Sequence, residues 1–366
     1  MKIVIATSGR AHLLDCAREL QKRGADITLF SITPKRNFSR FGLKSGGKSL
    51  FYYIAPFEFL KRKIHNLYVW RLCEFVLDLI VYILMPKCDV FIAQSPHFAR
   101  CLVKAKKKYG AIVIIDRGTS HVRKYNAILR DMNEKEQWSW YITFDEAQYD
   151  KADYIAIASR FVENSFIEYN YPHKKLFFNP YGVSLSNFYS TCYTGEYDCI
   201  CVGQWSKRKG SHLVIDAFRG TDIRILHVGA IADVEFPDCV NFTHIESVPE
   251  QKLVEYYAKA KIFLFPSFED GFGLVLCQAV ACGLPIICSR NTGGPTLKEI
   301  LNGNKYVYEM PEITSGALYN GYLYMNKLIE NLSVNGRRYV DDSVFEELTW
   351  QSYGRRYMEF LSQKTK

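Results

Sequence analysis

Long apolar runs are scarce in this 366-residue chain. The longest, Phe75 to Met85, is broken by Asp78. It falls short of the roughly 20 apolar residues that a spanning helix needs, so no transmembrane segment is expected. Arg71, Glu74 and Asp78 are spaced three and four apart, which reads as one polar stripe on an otherwise buried helix. CxxC pairs are missing. Eleven cysteines, among them Cys16, Cys101, Cys201, Cys277, Cys282 and Cys288, lie in apolar runs. An odd count without pairs suits buried free thiols in a reducing compartment. HExxH and Cys/His clusters are also missing, so no zinc site is expected. The first loop, Ser8-Gly9-Arg10, holds one glycine, which excludes the dinucleotide fingerprint. Met1-Lys2-Ile3-Val4-Ile5 enters a strand with no signal-peptide n-region or cleavage site, and a cytoplasmic protein is expected.

Acids are scarce from Lys35 to Lys63, where Glu58 alone stands against eight Lys or Arg. Phe38, Phe41, Phe51, Tyr52, Tyr53, Phe57 and Phe59 interleave with the cations. A basic, aromatic surface suits an anionic partner such as the inner membrane face or a lipid phosphate. A solvated loop and helix face fits the same charge run. Nucleic acid fits less well, because no recognition motif accompanies the charge.

What is present is the material of two packed domains. Apolar residues make up 48% and charged residues 23%, and the length suits two cores rather than one. Residues 2–7 are β-rich, 11–22 carry Leu13, Leu14, Ala17 and Leu20 at helical spacing, Gly24 follows the helix end, and 26–31 are β-rich again. The pattern restarts with a strand at 198–202, a loop at 203–210, a helix at 211–218 and a strand at 223–228. Further strands are read at 111–115, 154–158, 262–265 and 285–288. Alternation of this kind predicts an α/β protein with two Rossmann-like domains facing a cleft. The stretch 179–197 reads as the linker, and 343–366 as a charged terminal helix.

The strongest motif runs from Pro266 to Gly283. A strand ends at Pro266, a loop carries Glu269 and Asp270, and Gly271 and Gly273 flank Phe272 before a helix from Leu274 to Cys282. Glycines at a helix N-terminus offer free N–H groups and the positive dipole end to a diphosphate. Asp270 is placed near sugar hydroxyls. Gln278, eight residues on, lies about 12 Å along a helix axis, within reach of a ribose. Gly293-Gly294 forms a second glycine loop. The loop Val202-Gly203-Gln204 to Gly210 adds Lys207, Arg208 and Lys209, cations suited to a leaving diphosphate.

At these residues the chain resembles the retaining glycosyltransferases of the GT-B fold, family 4 (glycosyl transferases group 1). Members carry Gly-Arg…Lys-Gly in the first loop of the C-terminal domain, then an acidic residue, seven residues and a Glu, and then a Gly-Gly loop. Here Lys209-Gly210 matches, Gln204 replaces the Arg, and Asp270 and Gln278 stand at the two Glu positions. Ala152-Asp153-Tyr154, Asn179-Pro-Tyr-Gly-Val183 and Leu348 to Tyr357 extend the likeness over most of the chain. The resemblance implies an acceptor domain at 1–180, a donor domain at 181–345, and a helix at 346–366 crossing back to the first domain. It implies a hexosyltransferase using a nucleotide diphosphate-sugar, with a glycan or lipid-linked acceptor and no metal. Catalytic roles fall to His121, Lys209 and Asp270. Substrate contacts fall to Gly9, His12, Asp116, Arg117, Gly203, Arg208, Glu269, Gly271, Phe272, Gly273, Leu274 and Gln278. No Asp-x-Asp triplet occurs, which argues against the metal-dependent transferases of the other common fold.

Two other readings remain. Gln204 and Gln278 motivate a non-catalytic nucleotide-sugar-binding or scaffold protein on the same fold. Gly42-Leu-Lys-Ser-Gly-Gly-Lys-Ser49 spells a P-loop, and the strand running into Asp116 looks like its partner motif. A P-loop, however, follows a buried strand directly and opens a helix, and here Pro34 to Arg40 intervenes.

Overall fold

The computed structural model describes residues 1–9, 12–64, 66–303, 305–330 and 345–364. Arg10 and Ala11, at the predicted helix start, and residues 343, 344, 365 and 366 of the predicted terminal helix lie outside the described residues.

Two parallel sheets organise the chain. The first takes β1 (Lys2–Thr7), β2 (Asp26–Ser31), β3 (Gly47–Ser49), β4 (Val90–Gln94), β5 (Ile112–Arg117), β6 (Tyr154–Ile157) and β7 (Leu176–Phe178) in the order β3-β2-β1-β4-β5-β6-β7. The second takes β8 (Tyr197–Val202), β9 (Ile225–Val228), β10 (Phe242–Ile245), β11 (Ala260–Phe265), β12 (Ile286–Cys288) and β13 (Val307–Glu309) in the order β10-β9-β8-β11-β12-β13. The central strands are apolar on both faces: Ile3 to Ala6 and Val113 to Ile115 are almost wholly buried, as sheets covered by helices require. In each sheet the strand order reverses beside the first strand, between β1 and β4 and between β8 and β11. At such a point the connections leave to opposite faces and open a crevice at the carboxyl ends of the strands.

The predicted α/β class and the two Rossmann-like sheets are observed. The sequence reading missed β3, β4, β7, β10 and β13. Four of these are three- or four-residue strands at or next to a sheet edge, too short to show a period. The P-loop spelling is an edge strand: Leu29 pairs with Gly47, Phe30 with Lys48 and Ser31 with Ser49. The Lys48 ammonium lies 5.2 Å from the Phe30 ring centre, on the sheet rather than in a phosphate cradle. This removes the NTPase reading. All eleven cysteines are free and most are buried, with Cys192 exposed.

The helix Leu67–Leu84 departs from the expected polarity, burying the acids beside Cys73, Leu77 and Val81. Glu74 and Asp78 face inward at 4% and 2% exposure, while Leu72, Phe75, Tyr82 and Ile83 face out. The cause is local satisfaction of the acids. Asp78 accepts the Arg100 and Cys101 backbone N–H groups at 2.8 and 3.2 Å, capping the helix Ala99–Tyr109 from outside its own chain segment. Glu74 accepts from Lys61 at 3.2 Å and pairs with His97 at 2.5 Å. Two buried carboxylates with these partners hold the apolar stripe toward solvent.

The chain crosses between the domains twice, side by side. Val183 N–H donates to Leu348 O at 2.7 Å, and a Cβ on Gly182 would sit 2.3 Å from the Thr349 carbonyl carbon. The terminal helix Trp350–Lys364 then packs on the helix Leu13–Lys22 of the first domain. Phe360 stacks on Phe177 at 4.0 Å, Arg23 donates to Gln351 O at 2.6 Å, and Arg356 donates to Asn179 Oδ1 at 2.8 Å. This is the crossing-back helix that the resemblance implied.

Candidate active site

The site is assembled from strand ends. The loop after β8 brings Lys207, Arg208 and Lys209, and the loop after β11 brings Glu269 to Gly273. Parallel pairing of β8 with β11 sets these loops together. Lys209 Nζ is paired with Asp270 Oδ2. Burial raises the Asp270 pKa, but the Lys209 ammonium outweighs it and holds the carboxyl below its ordinary range. The other Asp270 oxygen accepts the Phe272 N–H at 3.2 Å, which shapes the turn. Gly273, at φ +78°, precedes the helix Leu274–Ala281, and a side chain there would strike the Phe265 ring.

The helix starts at Leu274, so Gln278 stands one turn in rather than two turns from Asp270. Leu274 and Gln278 share a face. With His12, Phe41, Gly182 and Trp350 they line a cavity of about 370 Å³. Tyr257, its phenol kept protonated by burial, donates to Gln278 Oε1 at 3.1 Å. The Gln278 amide NH₂ is thus the group left for a ligand.

Across the cleft, His12 Nε2 is 2.6 Å from Asp116 Oδ1. The Tyr181 ring stacks on His12 at 4.1 Å and meets Phe272 edge-on at 5.3 Å. Its hydroxyl reaches Asp116 Oδ1 at 3.5 Å. Tyr181 therefore touches both loops and lies between His12 and Asp116 on one side and the glycine loop on the other. Gly9, after β1, lines a separate neighbouring cavity.

Several residues named from the sequence have other duties. Arg117 is buried, donating to Asp145 Oδ2 at 2.6 Å and to Ser120 O at 3.1 Å, so it braces β5 and is not open to substrate. His121 is 4% exposed and sits among Tyr149, Phe166 and Tyr169, stacked on the last at 4.8 Å. Its Nδ1 accepts the Arg123 N–H and caps the helix Val122–Asp131. Burial lowers its pKa to about 4 and keeps it neutral. The histidine in the cleft is His12, whereas His121 is bonded to Ser165 and Arg123 and packed on Tyr149, Phe166 and Tyr169 of the first domain. Glu269 is fully buried, its carboxylate accepting from Ser120 N–H at 3.0 Å and Oγ at 3.1 Å in the first domain and from the Arg208 guanidinium at 3.3 Å. Burial pushes its pKa up, partly offset by Arg208 and Ser120. Arg208 donates to Glu269 O at 2.6 Å, and Lys207 reaches Glu134 of the first domain at 2.9 Å. All three loop cations thus carry acidic partners.

Gly271 packs against the first domain: a Cβ there would lie 2.1 Å from Gly118 O. Gly203, at φ +125°, lies against Gly229 and accepts from His227 Nε2 at 2.9 Å. Gly293 and Gly294 are buried behind the loop, against Phe272 O and Cys288 Sγ, and do not form a second ligand loop. Sequence reasoning assigned no role to Tyr257, Ser120 or Tyr181.

Comparison with known proteins follows this division. Residues 188–332 match the family of Glycosyl transferases group 1. The chain is 24% identical over 176 residues to the capsular polysaccharide biosynthesis glycosyltransferase CapM of Staphylococcus aureus, covering 44% of this chain and 46% of that one. It is 46% identical over 48 residues to an O-antigen chain mannosyltransferase B of Escherichia coli, covering 13% of each. The matches therefore span less than half the length of these curated relatives. Solved structures are similar over the whole chain. Sucrose-phosphate synthase from Thermosynechococcus elongatus aligns with TM-score 0.68, 14% identity and coverage of 99% and 98%. Anabaena Alr3699/HepE in complex with UDP and glucose aligns with TM-score 0.67, 14% identity and coverage of 99% and 100%. The chain thus has the GT-B fold throughout, and within its second domain residues 188–332 match the Glycosyl transferases group 1.

Proposed function

We propose that the protein is a retaining, metal-independent hexosyltransferase of family 4, moving a sugar from a nucleotide diphosphate-sugar to a glycan or lipid-linked acceptor. One observation carries this reading: Lys209 and Asp270 are paired beside the glycine-bounded start of the helix Leu274–Ala281, opposite His12 and Asp116. A diphosphate at the helix start meets free N–H groups, and Lys209 supplies positive charge as the glycosyl bond breaks. Asp270 orients sugar hydroxyls, and the Gln278 amide donates to the ribose. His12, oriented by Asp116, faces the incoming acceptor. Closure of the two domains excludes water that would hydrolyse the donor. The family match and the UDP complex of the similar Anabaena structure support the donor class.

Peripheral contact with an inner membrane face is part of the proposal. Among the described residues no helix is long and apolar enough to cross a membrane. Tyr52, Tyr53 and Phe59 are 62–86% exposed in the basic segment 35–63, and the outward stripe of Leu67–Leu84 adds apolar surface. A second reading, a nucleotide-sugar-binding protein without turnover, is favoured by the acidic partners of all three loop cations.

The test is a thermal-shift screen with UDP, GDP, ADP and their sugars, followed by nucleotide release. Stabilisation with release supports transfer, and stabilisation without release supports the second reading. Lys209→Ala is expected to lower release by about 100-fold or more, the scale of losing one group that stabilises developing charge. Full turnover in Lys209→Ala would sink the scheme.

A further inference from the structure

A second cavity, about 420 Å³, opens at the carboxyl ends of β1 and β2. Its size is that of a small-molecule site. Ile32, Pro34, Phe41, Phe51, Ala55 and Phe59 supply most of its wall. Apart from the Asn37 side chain, the polar groups of that wall are already engaged within the protein. Ser8 Oγ donates to Gln94 Oε1 at 3.1 Å, and the Thr33 hydroxyl is bonded to Ser31 Oγ at 2.9 Å. Gly9 O accepts from the Thr7 and Ser31 hydroxyls, both at 3.2 Å, and Glu58 pairs with Lys61 at 3.4 Å. A sugar placed here would give up water and find few partners, leaving buried hydroxyls unpaired. A hydrocarbon loses nothing by the same transfer and gains with each methylene buried.

The cavity adjoins the proposed reaction cleft, with Phe41 as the wall between them. Phe41 lines both it and the cavity that holds His12 and Gln278, and Gly9 belongs to the first loop. On the other side its wall includes Phe59, 64% exposed, on the helix Phe51–Lys63 that also carries the exposed Tyr52 and Tyr53 and, at its end, Lys61 and Lys63. We infer that this cavity binds the hydrocarbon chain of an amphiphilic acceptor, whose glycan head passes Phe41 toward His12. The inference rests on the transferase reading and narrows its acceptor from any glycan to a lipid-linked one.

The probes are n-octyl β-glucoside, below its critical micelle concentration, and methyl β-glucoside, titrated into the full-length protein by calorimetry. The octyl compound is expected to bind at least about tenfold more tightly, since an eight-carbon chain buried even in part exceeds the energy of a tenfold change. Ala55→Trp, which fills the cavity, and Phe59→Glu, an exposed change at its outer side, are each expected to abolish that preference. Equal binding of the two glucosides, or an undiminished octyl preference in both variants, would overturn the inference. UDP, GDP and ADP thermal shifts on the unmodified protein separate the two readings. Nucleotide stabilisation without an octyl preference rejects the lipid cavity alone. An octyl preference lost in the variants, with no nucleotide effect, keeps the cavity and rejects the donor reading.

Discussion

Gln278 shows how one hydrogen bond decides what a residue can offer. Tyr257 takes one of the two lone pairs of its carbonyl oxygen, so the side chain is left to meet a ribose hydroxyl mainly through its amide N–H groups. Gln278→Glu keeps an acceptor for Tyr257 and supplies a second, charged oxygen. Charge-assisted bonds are roughly twice as strong as neutral ones. The variant is expected to bind its nucleotide about fivefold more tightly, a gain near 1 kcal/mol. Calorimetry that returns equal affinities would place position 278 off the ribose. His121 carries a pH prediction. Its folded pKa is about 4, below the ordinary 6.5, so in that window the unfolded chain binds the extra proton. Stability is therefore expected to fall as pH drops from 6.5 toward 4. His227, also lowered to about 4 by burial, adds to the same trend. His121→Asn keeps a capping side chain without the titration. Its melting temperature is expected to drop less between pH 7 and pH 4.5 than that of the parent. An identical drop would remove the buried-neutral account. Lys209, Asp270 and the glycines were legible in the sequence because their chemistry is carried by residue type and spacing. The misplacement of His121 and Arg117 came from the fact that a polar residue after a strand can turn either to the crevice or back into its own domain.

At the scale of elements, Gly354 reports on the terminal helix. Replacing a helical glycine by alanine normally stabilises by about 1 kcal/mol. Here the new Cβ would lie 2.5 Å from Glu19 Cβ on the facing helix, an atom too near the backbone to move away. Gly354→Ala is expected to destabilise by about 1–3 kcal/mol, the cost of overpacking, while Arg355→Ala on the exposed face stays within about 0.5 kcal/mol. Denaturant unfolding of both variants checks the sign. A stabilised Gly354→Ala protein would show that the helix does not dock this tightly. The longer strands and the helices 13–22, 211–218 and 274–281 were readable because their apolar periods run over several residues. In the helix Leu67–Leu84 the acids of the expected polar stripe turned inward, beside Cys73, Leu77 and Val81. Periodicity separates a polar from an apolar face, but it does not say which face meets protein, and here Asp78 and Glu74 found partners only after the chain folded.

At the scale of the molecule, the domains are held in a closed arrangement. Glu269 accepts from Ser120, Ser159 Oγ donates to Gly271 O at 2.5 Å, Arg160 meets Glu299 at 2.6 Å, and Lys207 meets Glu134 at 2.9 Å. Gly271 permits the closest approach. Gly271→Ala is expected to force the two loops apart, raising the radius of gyration seen by solution scattering and lowering turnover at least about tenfold, since displacements near 1 Å at a reacting centre cost that much or more. Unchanged scattering and turnover would contradict the tight contact of Gly271 with Gly118.

The amino-acid order by itself determined the two parallel α/β sheets, the glycine-bounded loop before Leu274 and the basic loop at Lys207 to Lys209. Those features follow from backbone preference and local periodicity, which act over a few residues. The tertiary structure decided which charges pair, which histidine reaches the cleft and how the domains meet. His12 with Asp116, Glu269 with Ser120 and Tyr257 with Gln278 join residues 21 to 149 positions apart. Such pairs form only when the sheets have set their strand ends together, and burial then makes each hydrogen bond worth keeping.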